Sequence, residues 1–287
     1  MKTLSLGYSP CPNDTFIFYA LTHGKVDSKN LTFRELLLDV ETLNQKAVQS
    51  ELDLTKISYH AFGHVRKNYC LLRAGGALGR GCGPLIVVKH DYTMEELRNK
   101  KIAIPGKLTT ACLLLQLYDS AFRTPQSAFI EMPFHKIIDA VVNEEVDAGL
   151  IIHESRFTYP AYGLKQVIDL GEWWEQQTRC ESIPAGLPVP LGGIIAKRSF
   201  GEGLQKKINK IIKASIEYAF KNKNEPVNYI KKHSQELSED VINQHINLYV
   251  NDYSLEVGQD GKKAVNELLS RAEEAGIIPK VKQGIFM

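Results

Sequence analysis

The chain has 287 residues, with 35 Lys and Arg against 33 Asp and Glu and a formal net charge of +2 at pH 7. This near-balance supplies no field that would favour nucleic acid or an anionic membrane, so a small-molecule partner is the leading expectation. The length suits two compact domains, and no run of about 18 apolar residues is present to span a bilayer.

The run TLSLGY, residues 3–8, reads as a strand. It lacks the long apolar region of a signal peptide, so the expected location is the cytoplasm. SPCPNDTFIFYAL follows and predicts a helix from about Thr15. Asn13, Asp14 and Thr15 each suit a helix N-terminus, where one capping side chain meets most of the need for acceptors. The surplus is expected to serve a ligand. Cys11 near a helix start has the setting of a nucleophile, but proline on both sides and no nearby His in the sequence favour packing.

Residues 31–38 read as a strand, 41–50 as a helix and 54–59 as a strand carrying Lys56, Ile57, Ser58 and Tyr59. Such alternation predicts a mainly parallel sheet with helices on its faces. His60 and His64 share a helical spacing but lack the acidic partner of a His-Glu-x-x-His site, so no metal is expected there. The five cysteines are odd in number and form no Cys-x-x-Cys pair, which predicts reduced thiols. The Gly-rich segment GGALGRGCG, residues 75–83, leads into Pro84 and a strand at 85–88. A dinucleotide site needs a helix there, so no cofactor is expected and the segment reads as a turn before a crossing strand.

KIAIPGKLTTACLLLQL, from Lys101, repeats the plan of the N-terminus: strand, turn, Thr-Thr cap, apolar helix. A helix from about Lys136 then leads into NEEVDAGLIIHES, as an earlier helix leads into QSELDLTKISYH. Aligning Asp53 with Asp147 sets Tyr59 opposite His153. Trp173 and Trp174 could stack on a planar ligand, though a covered surface suits them better. Residues 191–196 read as a return strand. Leu204, Ile208, Ile211, Ile212 and Ile216 mark one helical face, and Ala264, Leu268 and Leu269 another that Gly276 ends. The expected division is a first lobe of residues 1–87 and 193–287 and a second lobe of 88–192.

Ligands of open α/β sheets bind beyond the carboxyl ends of the strands. Lobe one offers Asn13, Asp14, Thr15, Ser58 and Tyr59 there; lobe two offers Lys107, Thr109, Thr110 and His153. Two such corners facing across a hinge would enclose one polar ligand. Plainer roles stand beside these: a simple N-cap for Thr109 or Thr110, a strand end for Ser58 and Tyr59, a core position for His153.

SPCPNDTFIFYAL, KISYHAF, GALGRGCGPLIV, PGKLTTACLLL, GLIIHESRFTY, DLGEWWE and LPVPLGGI, in this order over residues 4–198, resemble the 1,4-dihydroxy-6-naphthoate synthase family of the futalosine route to menaquinone. The resemblance implies a two-lobed, periplasmic-binding-protein-like (type II) α/β fold, with mostly parallel sheets flanked by helices and a ligand cleft between lobes. It implies a carbon-carbon lyase without metal or redox cofactor, converting cyclic dehypoxanthinyl futalosine to 1,4-dihydroxy-6-naphthoate with release of a three-carbon fragment. His153 is the implied general base, and Lys56, Ile57, Ser58, Thr109 and Thr110 the implied substrate contacts. Arg156, Lys56 and the helix N-termini are candidates for the substrate carboxylate. TRCESIPA, residues 178–185, departs from the pattern as an insertion. Chorismate dehydratase of the same route shares the fold, but SPCPNDTF and GLIIHES point away from it. A non-catalytic solute-binding protein would need export or an anchor, which residues 1–8 do not offer.

Overall fold

The computed structural model describes residues 2–123, 128–235 and 238–287, and divides into two compact units: Met1–Gly79 with Pro190–Met287, and Arg80–Val189. Both cuts fall ahead of the expected 87/88 and 192/193. Leu85–Val88 goes to unit 2 because it is hydrogen-bonded on both sides to strands of that unit.

Unit 1 holds β1 (Lys2–Tyr8), β2 (Leu31–Leu37), β3 (Leu54–Ser58), β4 (Tyr69–Leu71) and β5 (Ala77–Gly79). Unit 2 holds β6 (Leu85–Val88), β7 (Lys101–Ile104), β8 (Ala128–Glu131), β9 (Ala148–Ile151) and β10 (Lys165–Asp169); the chain then returns as β11 (Val189–Lys197). The first sheet has the order β2-β1-β3-β11-β4, with β5 also on β11. In it β1 runs parallel to β2 and β3, and β11 antiparallel to β3 and β4. The second has the order β10-β6-β9-β7-β8, with β7 parallel to β8 and β9, and β6 antiparallel to β9 and β10. All five residues of β3 and all four of β9 are buried, as expected for strands covered on both faces.

The repeat inferred from Asp53 and Asp147 extends to backbone detail. Asp53 Oδ2 accepts the Ser5 amide at 3.0 Å, and Asp147 Oδ2 accepts the Lys101 amide at 2.9 Å. The residue after each aspartate opens the same parallel register, Leu54 against Leu6 and Ala148 against Ile102. Three residues before each aspartate the chain turns left-handed, at Ser50 (φ 58°) and Glu144 (φ 59°). Each turn closes the preceding helix with a matching pair of bonds, Ser50 N–H to Ala47 O and Glu51 N–H to Lys46 O, then Glu144 N–H to Val141 O and Glu145 N–H to Ala140 O. A helix C-terminus commonly ends through such a left-handed residue, which satisfies its last carbonyls.

The core of unit 1 joins Leu4, Leu6 and Tyr8 of β1 to Phe16, Ile17 and Phe18 of the helix Pro12–Thr22 and to Ile208, Ile211, Ile212 and Ile216 of the helix Gly201–Lys221. Each such isoleucine contributes about 1.5–3 kcal/mol by leaving water. Between these helices, the Ser215 hydroxyl donates to Ile17 O at 2.7 Å and accepts the Leu21 amide at 3.1 Å. The core of unit 2 gathers Leu85, Val87, Ala103, Ile137, Val141 and Ile151. Gly149 of β9 belongs there because a Cβ at that position would stand 2.5 Å from Ile137 Cγ2. Trp174 is fully buried and donates from Nε1 to Pro188 O at 3.1 Å, whereas half-buried Trp173 meets Tyr118 edge-on. Among the described residues, no helix is long and apolar enough to cross a membrane.

Candidate functional site

Because β1 and β3 are parallel neighbours, Tyr8 and Ser58 end at one edge of the first sheet, and β11 starts there, with Gly192 opposite Ser58. The helix after β1 begins at Pro12, not Thr15, with Cys11 at the cap position and no side-chain cap bond. Proline is favoured at that first position because it lacks the N–H that would go unsatisfied. Asn13 and Asp14 therefore lie inside the first turn and are released from capping. Asp14 Oδ2 accepts the Ser9 hydroxyl at 2.8 Å and the Ser9 amide at 3.2 Å; its Oδ1 accepts Asn13 Nδ2 at 2.9 Å and meets Lys56 Nζ at 3.3 Å. Lys56 also donates to Gly75 O at 2.7 Å. Its side chain is 9 % exposed and that of Asp14 4 %, so this is a buried ion pair. With Asp14 and Gly75 satisfied, one ammonium hydrogen of Lys56 remains among the described residues for a ligand.

Ser58 ends β3 and precedes the helix Tyr59–Val65, so Tyr59 starts a helix and does not close a strand. Tyr59 is buried, and a Cβ on Gly193 would lie 3.2 Å from its hydroxyl, which puts the ring against β11. Burial raises its phenol well above the ordinary value of 10.0. This geometry packs the Tyr59 ring against Gly193 of β11. Ile57 is a core side chain of β3 opposite Gly193. Asn44, fully buried, fixes Ser58 by accepting its amide at 3.0 Å and donating to its hydroxyl at 3.3 Å.

In unit 2 the parallel strands β7 and β9 end together, and Leu85 of β6 pairs with Ile151 at the same edge. Thr109 caps the helix Thr110–Tyr118: its hydroxyl accepts the Cys112 amide at 3.2 Å and donates to Gly106 O at 2.7 Å. Thr110 is buried in the first turn. Lys107 is an exposed partner of Glu131 at 2.8 Å. His153 follows β9 in the left-handed region, φ 55°, a conformation that costs a non-glycine residue about 1–2 kcal/mol. It is half-buried, with its ring centroid 5.0 Å from that of Phe134, which is not the setting of a core histidine.

What holds that loop is a clamp through Arg156. The Arg156 amide donates to His153 O at 3.2 Å, while its guanidinium reaches Gly83 O and Asp169 Oδ2, each at 2.6 Å. Asp169 Oδ1 also accepts the Gly171 and Glu172 amides, capping the helix Leu170–Gln177. Gly83 and Gly171 touch so closely that a Cβ on Gly83 would lie 2.3 Å from Gly171 Cα. Arg156 is thus engaged in holding the His153 loop. In the 178–185 stretch, Cys180 bridges to Ile183, and Arg80 donates to the carbonyls of Ala185 and Gly186.

Sequence reasoning missed Ser9, Asn44, Asp169 and above all His245, whose Nε2 lies 2.9 Å from Asn13 Oδ1 across 232 residues. Nothing local marks His245, since it stands in the helical tail beyond the recognisable motifs. The His60 and His64 rings lie 5.4 Å apart, tilted by 45°, and burial lowers the His64 pKa.

A family model described as menaquinone biosynthesis matches residues 4–274. The chain is 47 % identical, over the full length of both, to a Thermus thermophilus protein named 1,4-dihydroxy-6-naphthoate synthase. It is 42 % identical to a protein of the same name from Streptomyces coelicolor, covering 96 % of this chain and 95 % of that one. The crystal structure of an Archaeoglobus fulgidus protein, 38 % identical, superposes with a TM-score of 0.86 over 96 % of this chain and 98 % of that chain. The alkanesulfonate-binding protein SsuA from Xanthomonas axonopodis pv. citri, only 14 % identical, has a TM-score of 0.70 over 98 % of this chain and 95 % of that chain. The fold is therefore periplasmic-binding-protein-like.

Proposed function

This chain belongs to the menaquinone-biosynthesis family, and on that premise we propose that it is a 1,4-dihydroxy-6-naphthoate synthase. It acts as a lyase on cyclic dehypoxanthinyl futalosine, releasing 1,4-dihydroxy-6-naphthoate and a three-carbon fragment. The observation that carries the reading is the full-length similarity to relatives of that name. Chorismate dehydratase is not favoured, because neither curated relative bears that name.

His153 is the general base in this reading. An imidazole changes protonation near neutral pH and so can take a carbon-bound or hydroxyl proton from substrate. Formation of a second aromatic ring then drives the bond cleavage. The strained, clamped backbone at His153 supports the role, since residues in sparsely populated conformations cluster at functional sites and persist only where their surroundings hold them. Thr109 and Thr110 lie at a helix N-terminus, where N–H groups and a partial positive charge suit a carboxylate or hydroxyl of substrate. In unit 1, the remaining Lys56 hydrogen, the Asn13 amide, Ser58 and the Ile57 backbone are the substrate contacts. The expected setting is the cytoplasm.

The test is incubation of the purified protein with cyclic dehypoxanthinyl futalosine, followed by chromatography and mass spectrometry for the dihydroxynaphthoate. Product formation is expected; dehydration of chorismate, or binding without turnover, would overturn the reading. His153→Asn should lower turnover about 100- to 10,000-fold with substrate binding largely kept, because Asn is polar but takes up no proton. A near-parental rate would move the base elsewhere.

A further inference from the structure

The first turn of the helix Pro12–Thr22 is tied to the far end of unit 1 through one histidine. His245, in the helix Glu239–Tyr249, is fully buried, its ring 4.7 Å from that of Tyr249. Its Nε2 faces Asn13 Oδ1 at 2.9 Å, and Asn13 Nδ2 faces Asp14 Oδ1 at 2.9 Å. An ionised carboxylate only accepts hydrogen bonds, so Asn13 must turn its NH2 to Asp14 and its carbonyl to His245. His245 must then carry its proton on Nε2. With the amide locked this way round, the second Nδ2 hydrogen is left as a donor, beside the ammonium that Asp14 holds.

We infer that His245 is a positioning residue for substrate: by donating from Nε2 to Asn13 it fixes the direction of that amide, and through Asp14 the place of the Lys56 ammonium. The inference rests on the reading of Asn13 and Lys56 as substrate contacts. A flipped Asn13 would set its oxygen against the Asp14 carboxylate and present an acceptor where a donor is needed. His245 opposes that flip, since its Nε2–H would then face an NH2 group. It touches neither substrate nor the reacting bond, so its loss should be felt in binding more than in the chemical step.

Two measurements test this. Nitrogen-15 NMR of the intact protein, with the His245 ring assigned by its absence in His245→Gln, should show Nε2 protonated; an unprotonated Nε2 would overturn the inference whatever the substrate is. Steady-state kinetics on cyclic dehypoxanthinyl futalosine should show KM raised about 3- to 10-fold in His245→Leu with kcat nearly unchanged, the size expected for one hydrogen bond. His245→Gln, which keeps a donor of similar reach, should restore KM to near the parental value. Equal KM values for the Leu and Gln variants, or a fall in kcat alone, would overturn it. If the Leu variant fails to fold, the Gln variant and the tautomer still decide. Failure of the parent protein to convert this substrate would instead count against the proposed function.

Discussion

Asp14→Asn removes one charge from the buried Lys56–Asp14 pair and changes almost nothing in shape. At 3.3 Å the pair attraction is about 5 kcal/mol for an effective dielectric of about 20, and the cost of burying the two charges offsets much of it. The net worth of the pair is therefore small, but the cost of breaking it is not, because the Lys56 ammonium then stays buried without its counter-charge. The expected loss is about 3–5 kcal/mol of unfolding free energy. Urea denaturation of the full chain should be followed by far-UV circular dichroism, since both tryptophans, Trp173 and Trp174, lie in unit 2. Adding Lys56→Met should recover at least half of the loss, as removal of both charges often proves neutral. Turnover should not return with stability, because Met cannot donate to substrate. A single-variant loss below about 1 kcal/mol, or a double variant equal to the sum of the two singles, would refute the coupling.

Gly83→Ala should destabilise the protein by about 1–3 kcal/mol, because the new methyl meets Gly171 backbone that cannot step aside, and turnover should drop as the Arg156 clamp on the His153 loop loosens; unchanged denaturation and kinetics would contradict the clamp. Burial pushes the Cys82 thiol up to about 12, so a thiol reagent at pH 8 should modify exposed Cys180 quickly and Cys82 only on unfolding, as peptide mass mapping would show. Burial alone would raise the Asp53 carboxyl, but the Ser5 amide and the Lys197 ammonium outweigh it and leave its pKa below the ordinary 3.8. A depressed carboxyl contributes stability above 3.8 and loses it as pH falls through the lower folded value. Denaturation across that acid window should thus be less pH-dependent in Asp53→Asn than in the parent, and equal slopes would remove Asp53 from the account.

Strand and helix alternation was legible because apolar periodicity follows from burial, and the duplicated plan was legible because Asp53 and Asp147 do the same job in each sheet. The register repeats with them. Element ends were less legible. Pro12 starts its helix without a side-chain cap, so the capping signal of Asn13 to Thr15 pointed three residues too late. Tyr59 continues the apolar pattern of β3, and only the fold shows that the chain has by then turned into a helix. The site was legible where its residues cluster in motifs. It was illegible where a partner arrives from outside the motif: His245 meets Asn13 and Asp169 meets Arg156. Each of these pairings is set by topology, on which local spacing is silent.

The place of β11 has a consequence during synthesis. It lies inside the first sheet, between β3 and β4, yet its residues are made about 140 positions after β3. At the usual pace of translation that delay is on the order of 10 s, during which β3, whose five residues are all buried in the finished fold, has a missing neighbour on one side. An unpaired strand edge is a template for pairing with other chains. Residues 80–189, by contrast, are contiguous and contain every strand of their sheet. The nascent chain can therefore complete its second sheet while the first still waits, and the vulnerable species on the ribosome is the N-terminal half-sheet, its β3 edge open until Val189–Lys197 arrives to close it.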